Sequence, residues 1–165
     1  MDDKRTFHVD PEKAVDRYAD MVYRLARLNT PSQQDAEDIF QEVFLKLIRH
    51  QKSIHSEEHL KAWLIRVTLN QCKSRAVLVW NKRRVSMDTV AELGTEEQED
   101  YSEVYKAVCE LPQKYREVIY LYYYEEYQVK EIAEILKCKE ATVKTHLARA
   151  RKLLGEQLKG EFGNG

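Results

Sequence analysis

Gln128–Leu154, QVKEIAEILKCKEATVKTHLARARKLL, decides the reading of this chain. In VKEIAEIL, Val129, Ile132, Ile135 and Leu136 recur at helical spacing, and Ala133 is small where a second helix must cross closely. Lys137-Cys138-Lys139 then breaks the period. The spacing predicts a second helix that buries Val143, Leu147, Ala150 and Leu154. At about 100° per residue, Ala141, Thr145, Ala148 and Lys152 fall on its opposite face, flanked by Thr142, Lys144 and Arg149. Small residues on that face let a backbone sink into a major groove, and the two cations reach phosphates or guanine edges. The pattern is that of a DNA-binding helix-turn-helix. It also fits an ordinary basic amphipathic helix closing a bundle. Lys137 stands at the turn position where Gly is commonest, and a left-handed conformation there costs a lysine about 1 kcal/mol.

The 165 residues suffice for one ordinary domain or two small ones, and 43% hydrophobic residues exclude wholesale disorder. Five Gly and three Pro beside 33% charged residues point to a mostly helical, all-α protein. Cys72, Cys109 and Cys138 form no CxxC pair, which argues for a reducing compartment and against a zinc site or disulfide framework. No apolar run reaches the roughly 20 residues of a membrane span, and the N-terminus has no signal-peptide core, so a cytoplasmic location without membrane insertion is expected. The net charge of −1 conceals a segregation. Arg66, Lys73, Arg75, Lys82, Arg83 and Arg84 form a run without acids; Asp88, Glu92, Glu96, Glu97, Glu99, Asp100 and Glu103 follow without a base. Basic segments on both sides of an acidic one fit two nucleic-acid contact regions joined by a linker that DNA repels.

Along the chain, a first helix is expected from Pro11 to Leu28 with Val15, Tyr18, Val22 and Leu25 inside. Ser32 with Asp35 resembles a capping box and opens a second helix, QQDAEDIFQEVFLKLIRH, burying Ala36, Ile39, Phe40, Val43, Phe44 and Leu47. Its outer face carries Asp38, Gln41, Glu42 and Arg49 around Leu45, either a protein-docking spot or a stray exposed leucine. After a polar loop around Ile54, a third helix is expected from Leu60 to Trp80, with Leu60, Trp63, Leu64, Val67 and Gln71 along one side. Arg66, Asn70 and Lys73 share another side, a composition suited to tracking phosphates and reading a base, and equally to a solvated basic face. Beyond the acidic stretch, Val104, Ala107, Val108 and Leu111 are helically spaced, and Tyr115, Val118, Ile119 and Tyr122 make the next inner stripe. Tyr120, Tyr123, Tyr124 and Tyr127 cannot all join that core.

Three segments together, DAEDIFQEVFLKL, AWLIRVTLNQCKSR and LPQKYREVIYLYYYEEYQVKEIAEILKCKEATVKTHLARARKLL, resemble the extracytoplasmic-function sigma factors of bacterial RNA polymerase, which keep only conserved regions 2 and 4. The resemblance implies two small helical domains, residues 10–85 and 103–158, joined by an acidic linker at 86–102. It implies a polymerase grip formed by Asp35, Asp38, Gln41, Glu42, Leu45 and Arg49. Minus-ten DNA would meet Ile54, Trp63, Arg66, Asn70, Lys73, Arg75, Arg83 and Arg84, with the loop around Ile54 holding a flipped base. Minus-thirty-five DNA would meet Ala141, Thr142, Lys144, Thr145, Ala148, Arg149 and Lys152. Core polymerase, promoter DNA and an anti-sigma factor are the implied partners of a chain that is monomeric when free, with no catalytic residue, cofactor or metal. Ile54 departs from the family in standing where an aromatic is frequent, Ser74 where Asp or Asn is frequent, and Lys137 in place of the turn Gly. A dimeric operator-binding regulator would explain Gln128–Leu154 alone. A nucleic-acid enzyme would need an acid-base or metal set that His8, His50, His55, His59 and His146 do not form.

Overall fold

The computed structural model describes the backbone of residues 7–85 and 103–162 and the side chains of 7–76 and 103–158. The acidic linker and the side chains of Lys82, Arg83 and Arg84 lie outside the described residues. All regular structure among the described residues is helical, and the chain divides into two compact units, Met1–Glu97 and Gln98–Gly165.

The first unit is a bundle of three helices, α1 (Pro11–Leu28), α2 (Gln33–His50) and α3 (Glu57–Val85), each packed on the other two. Asp10 caps α1 by accepting the N–H groups of Glu12 and Lys13, and Pro11 sits where its missing donor is harmless. Tyr18, Val22 and Leu25 are buried as expected, whereas Val15 is half-buried and Ala14 and Met21 take the inner positions beside them. Buried Asn29 seals the far end: its Nδ2 donates to the Leu25 carbonyl at 2.9 Å and its N–H to the Ala26 carbonyl at 3.1 Å. Ser32 caps α2, accepting the Asp35 N–H at 3.1 Å, while its hydroxyl donates to Asp35 Oδ2 at 3.0 Å. Of the expected α2 core only Phe40 is merely half-buried.

Helix α3 begins earlier than the apolar period suggests, because Ser56 Oγ accepts the His59 N–H at 3.0 Å and adds a turn before Leu60. Its buried face is also rotated from the expected one. Leu60 and Leu64 are joined by Ile65, Thr68, Leu69 and Cys72, while Trp63, Val67 and Gln71 are half-buried at the margin. Thr68 escapes the penalty for burying a hydroxyl by donating to the Leu64 carbonyl at 2.6 Å.

The second unit comprises α4 (Glu103–Cys109), α5 (Gln113–Ile119), a π-helical turn over Tyr120–Tyr124, α6 (Val129–Leu136) and α7 (Glu140–Phe162). Helices α4, α5 and α6 all pack on α7. Arg116 fastens the α4–α5 corner by donating to the carbonyls of Cys109 and Leu111 at 3.2 and 2.6 Å. Val104 faces solvent, contrary to the expected α4 stripe, while Ala107, Val108 and Leu111 are buried. The π turn inserts one extra residue into its helical ring and turns Tyr120 and Leu121 into the core. Tyr120 donates to Glu125 Oε2 at 2.7 Å, Tyr122 is left half-buried, and Tyr123 and Tyr124 project outward.

Candidate polymerase and nucleic-acid interfaces

Between α6 and α7 the chain turns on Lys137, whose φ of 57° and ψ of 51° place it in the left-handed region. The N–H groups of Lys137 and Cys138 both return to the Ala133 carbonyl, so the strained residue ends α6 as a glycine would. At the other end of α6, Glu131 Oε1 accepts the Gln128 N–H at 2.8 Å. The crossing is held by buried Ile132, Ala133 and Ile135 against Val143, Leu147 and Ala150; Leu154 is half-buried. On the far side of α7, Ala141, Lys144, Thr145, Ala148, Arg149 and Lys152 are exposed and Thr142 is half-exposed. About three turns of one helix thus present small, hydroxyl and cationic side chains to solvent, with no bulky apolar group among those seven. His146 lies at the edge of this face, its ring edge-on to Tyr115 at 5.5 Å. Burial, then the charges of Lys114 and Arg149, hold its pKa below the usual imidazole value.

In the first unit, Leu45 is 49% exposed and Ile48 51%, and Gln41 and Arg49 beside them are exposed. Positions 41, 45 and 48 follow one helical row, so Ile48 doubles an apolar spot that the sequence reading centred on Leu45 alone. The missed signal was an apolar residue three positions beyond Leu45 and off the core stripe. Glu42 is half-buried. Asp35 and Asp38 turn toward α3, where Arg75 Nη2 lies 3.0 Å from Asp35 Oδ1 and 2.8 Å from Asp38 Oδ2. Arg75, grouped from the sequence with the DNA-facing cations, is therefore engaged by two residues grouped with the polymerase grip.

Along α3, Asn70 and Lys73 are exposed and Arg66 is half-exposed on one face. Trp63 is half-buried, 6.2 Å from the His50 ring. The expectation for Ile54 requires correction. At 2% exposed it belongs to the core beneath the loop, because the turn at Gln51–Ser53 folds it inward, and its side chain is not presented to a base. His55, the next residue, is exposed; its N–H donates to His59 Nδ1 at 3.0 Å, and the two rings stack at 5.2 Å.

Two family models match this chain, Sigma-70 region 2 over residues 14–77 and Sigma-70, region 4 over residues 101–154. Among curated relatives, the RNA polymerase sigma factor SigV of Bacillus subtilis is 34% identical over 146 residues, covering 84% of this chain and 85% of that protein. The ECF RNA polymerase sigma factor SigW of the same organism is 31% identical over 166 residues, covering 88% and 87%. Among solved structures, the sigma factor RpoE of Bartonella quintana, in complex with the anti-sigma factor NepR, is similar with a TM-score of 0.76 at 24% identity, covering 90% of this chain and 96% of that one. CnrH, in complex with the cytosolic domain of CnrY, gives a TM-score of 0.65 at 21% identity, covering 91% and 88%. The two structures share the fold, and the matched regions and sequence relatives agree on one assignment: this chain belongs to the sigma-70 family, as an extracytoplasmic-function RNA polymerase sigma factor.

Proposed function

We propose that this sigma factor is a dissociable specificity subunit: it joins bacterial core RNA polymerase and directs initiation at its own promoters, supplying no catalytic group, in the cytoplasm where polymerase and chromosome are. Residues 10–85 would open and read the minus-ten element, with Asn70 and Lys73 toward the separated strand. Residues 103–158 would read the minus-thirty-five element through Lys144, Thr145, Ala148 and Arg149. The observation that carries this reading is the pair of unlike surfaces in one chain, an exposed apolar spot on α2 and a small-residue cationic face on α7. The first suits protein docking and the second a major groove. Each DNA contact is weak alone, and tethering both through polymerase raises the effective concentration of the second.

An anti-sigma factor is the natural antagonist of such a chain. The similar sigma factor RpoE is seen with the anti-sigma factor NepR, and this chain offers an apolar groove of about 510 Å³ lined by Val108, Ile119, Tyr123, Tyr124, Leu154 and Leu158. The reading is tested by titrating labelled full-length protein with core polymerase. Leu45→Asp with Ile48→Asp should weaken association at least about thirtyfold, the effect of losing one hot-spot residue, without altering helicity. Unchanged association would remove α2 as the grip.

A further inference from the structure

Arg75 carries the charge of a DNA-facing residue but spends it inside the first unit. Its Nε donates to Asp35 Oδ1 at 3.1 Å and its Nη2 to Asp38 Oδ2 at 2.8 Å. Two carboxylates around one guanidinium leave the spot locally anionic, and a phosphate is repelled from it. The two acids are not equivalent. Asp35 is 18% exposed and also takes part in the Ser32 cap, so it is fixed by the start of α2. Asp38 is 39% exposed, and its remaining oxygen only accepts from Gln34 Nε2 at 3.3 Å, one turn back on the same helix. From Asp38 the α2 surface continues through Gln41 to Leu45 and Ile48, the proposed polymerase grip. Arg75 itself is 36% exposed, on the helix that carries Asn70 and Lys73. An ion pair this accessible contributes little net stability, so replacing one partner costs little.

We propose that the Asp38–Arg75 pair is an exchange contact linking the two binding events. In the free chain Asp38 and Asp35 together hold Arg75 Nη2, at 2.8 and 3.0 Å; when a cation of polymerase takes Asp38, Nη2 loses the more exposed of its two carboxylates and the N–H so freed turns to a phosphate of the promoter strand. Polymerase binding and strand binding then reinforce each other, because each favours the broken pair. The inference rests on the sigma-factor reading and adds to it a reason for weak DNA binding by the free protein.

The test uses the full-length chain without polymerase and a short fluorescein-labelled single-stranded DNA, read by anisotropy across a salt series. One additional phosphate contact steepens the log–log salt slope by about 0.7 and strengthens binding about fivefold near 0.1 M salt, and Asp38→Asn should show both. Glu37→Gln removes the same formal charge from α2 without touching Arg75 and should leave the slope unchanged. Asp38→Asn combined with Arg75→Gln should return to the parental slope. A parental slope in Asp38→Asn, or a gain that persists in the double variant, overturns the exchange. Arg75→Gln alone supplies an arm that does not depend on Asp38→Asn folding. It should reduce the salt slope of the polymerase-bound promoter complex, where the freed guanidinium meets a phosphate, and an unchanged slope in that complex overturns the proposal. Failure of the exchange leaves polymerase association intact, whereas failure of the sigma-factor reading abolishes association itself.

Discussion

At the scale of single residues, Lys137 bears a conformational cost that the fold around it enforces. Its left-handed backbone closes the helix-turn-helix, and Lys137→Gly should stabilise the second unit by about 1 kcal/mol, measured as a higher urea midpoint. Ile54 shows the opposite case, an apolar residue among polar neighbours whose importance is tertiary. Ile54→Ala should cost about 2–5 kcal/mol and leave promoter preference unchanged, whereas an undiminished melting temperature with altered preference would return Ile54 to the DNA surface. His59, in the first turn of α3 after the loop around Ile54, is a titrating residue. Its Nδ1 must stay unprotonated to accept the His55 N–H, and burial, then the charges of His55 and Arg66, lower its pKa from the ordinary 6.5. His146 is lowered likewise. The unfolded chain therefore takes up these protons first. Stability should be full above about pH 6.5 and fall as the pH drops below it. A thermal midpoint independent of pH between about 7.5 and 5.5 in the native chain would contradict this assignment.

At the scale of elements, legibility followed how local each signal was. Helix α1 runs from Pro11 to Leu28 as its caps and apolar period dictate, because Asp10, Pro11 and Asn29 act through neighbours in sequence. The exposed face of α7 was likewise legible from spacing alone. Helix α3 was less so: its early start depends on one Ser56 hydroxyl, and its rotated core face depends on where α1 and α2 press against it. The π turn was not legible at all. YLYYY continues a helical period, and only tertiary packing decides that Tyr120 and Leu121 point inward while Tyr123 and Tyr124 emerge. Among the emergent side chains, Arg151 lies over the rings of Tyr122 and Tyr123 at 5.5 and 5.6 Å and donates to the Tyr123 hydroxyl at 2.7 Å. Exposed cation–π contacts of this kind contribute about 0.5–1 kcal/mol, so Arg151→Ala should lower the second unit's stability by about that amount while leaving the exposed cationic face of α7 in place. A loss of several kcal/mol on denaturant unfolding would mean that Arg151 holds the π turn itself.

At the scale of the molecule, a net charge of −1 coexists with cationic faces because the charge is segregated along the sequence. The roles proposed for α2 toward polymerase and for α3 and α7 toward DNA separate experimentally. Lys144→Ala with Arg149→Ala should weaken use of promoters that have a strong minus-thirty-five element by about 1–3 kcal/mol per lost base contact, with polymerase association unchanged. The most direct measurement is in-vitro transcription by purified core polymerase on a pool of bacterial promoter fragments. The native chain should produce discrete new start sites. Leu45→Asp with Ile48→Asp should abolish them, and Lys144→Ala with Arg149→Ala should reduce them selectively. An absence of start sites, with specific duplex DNA still retained by the protein without polymerase, would contradict the account and favour a conventional operator-binding regulator.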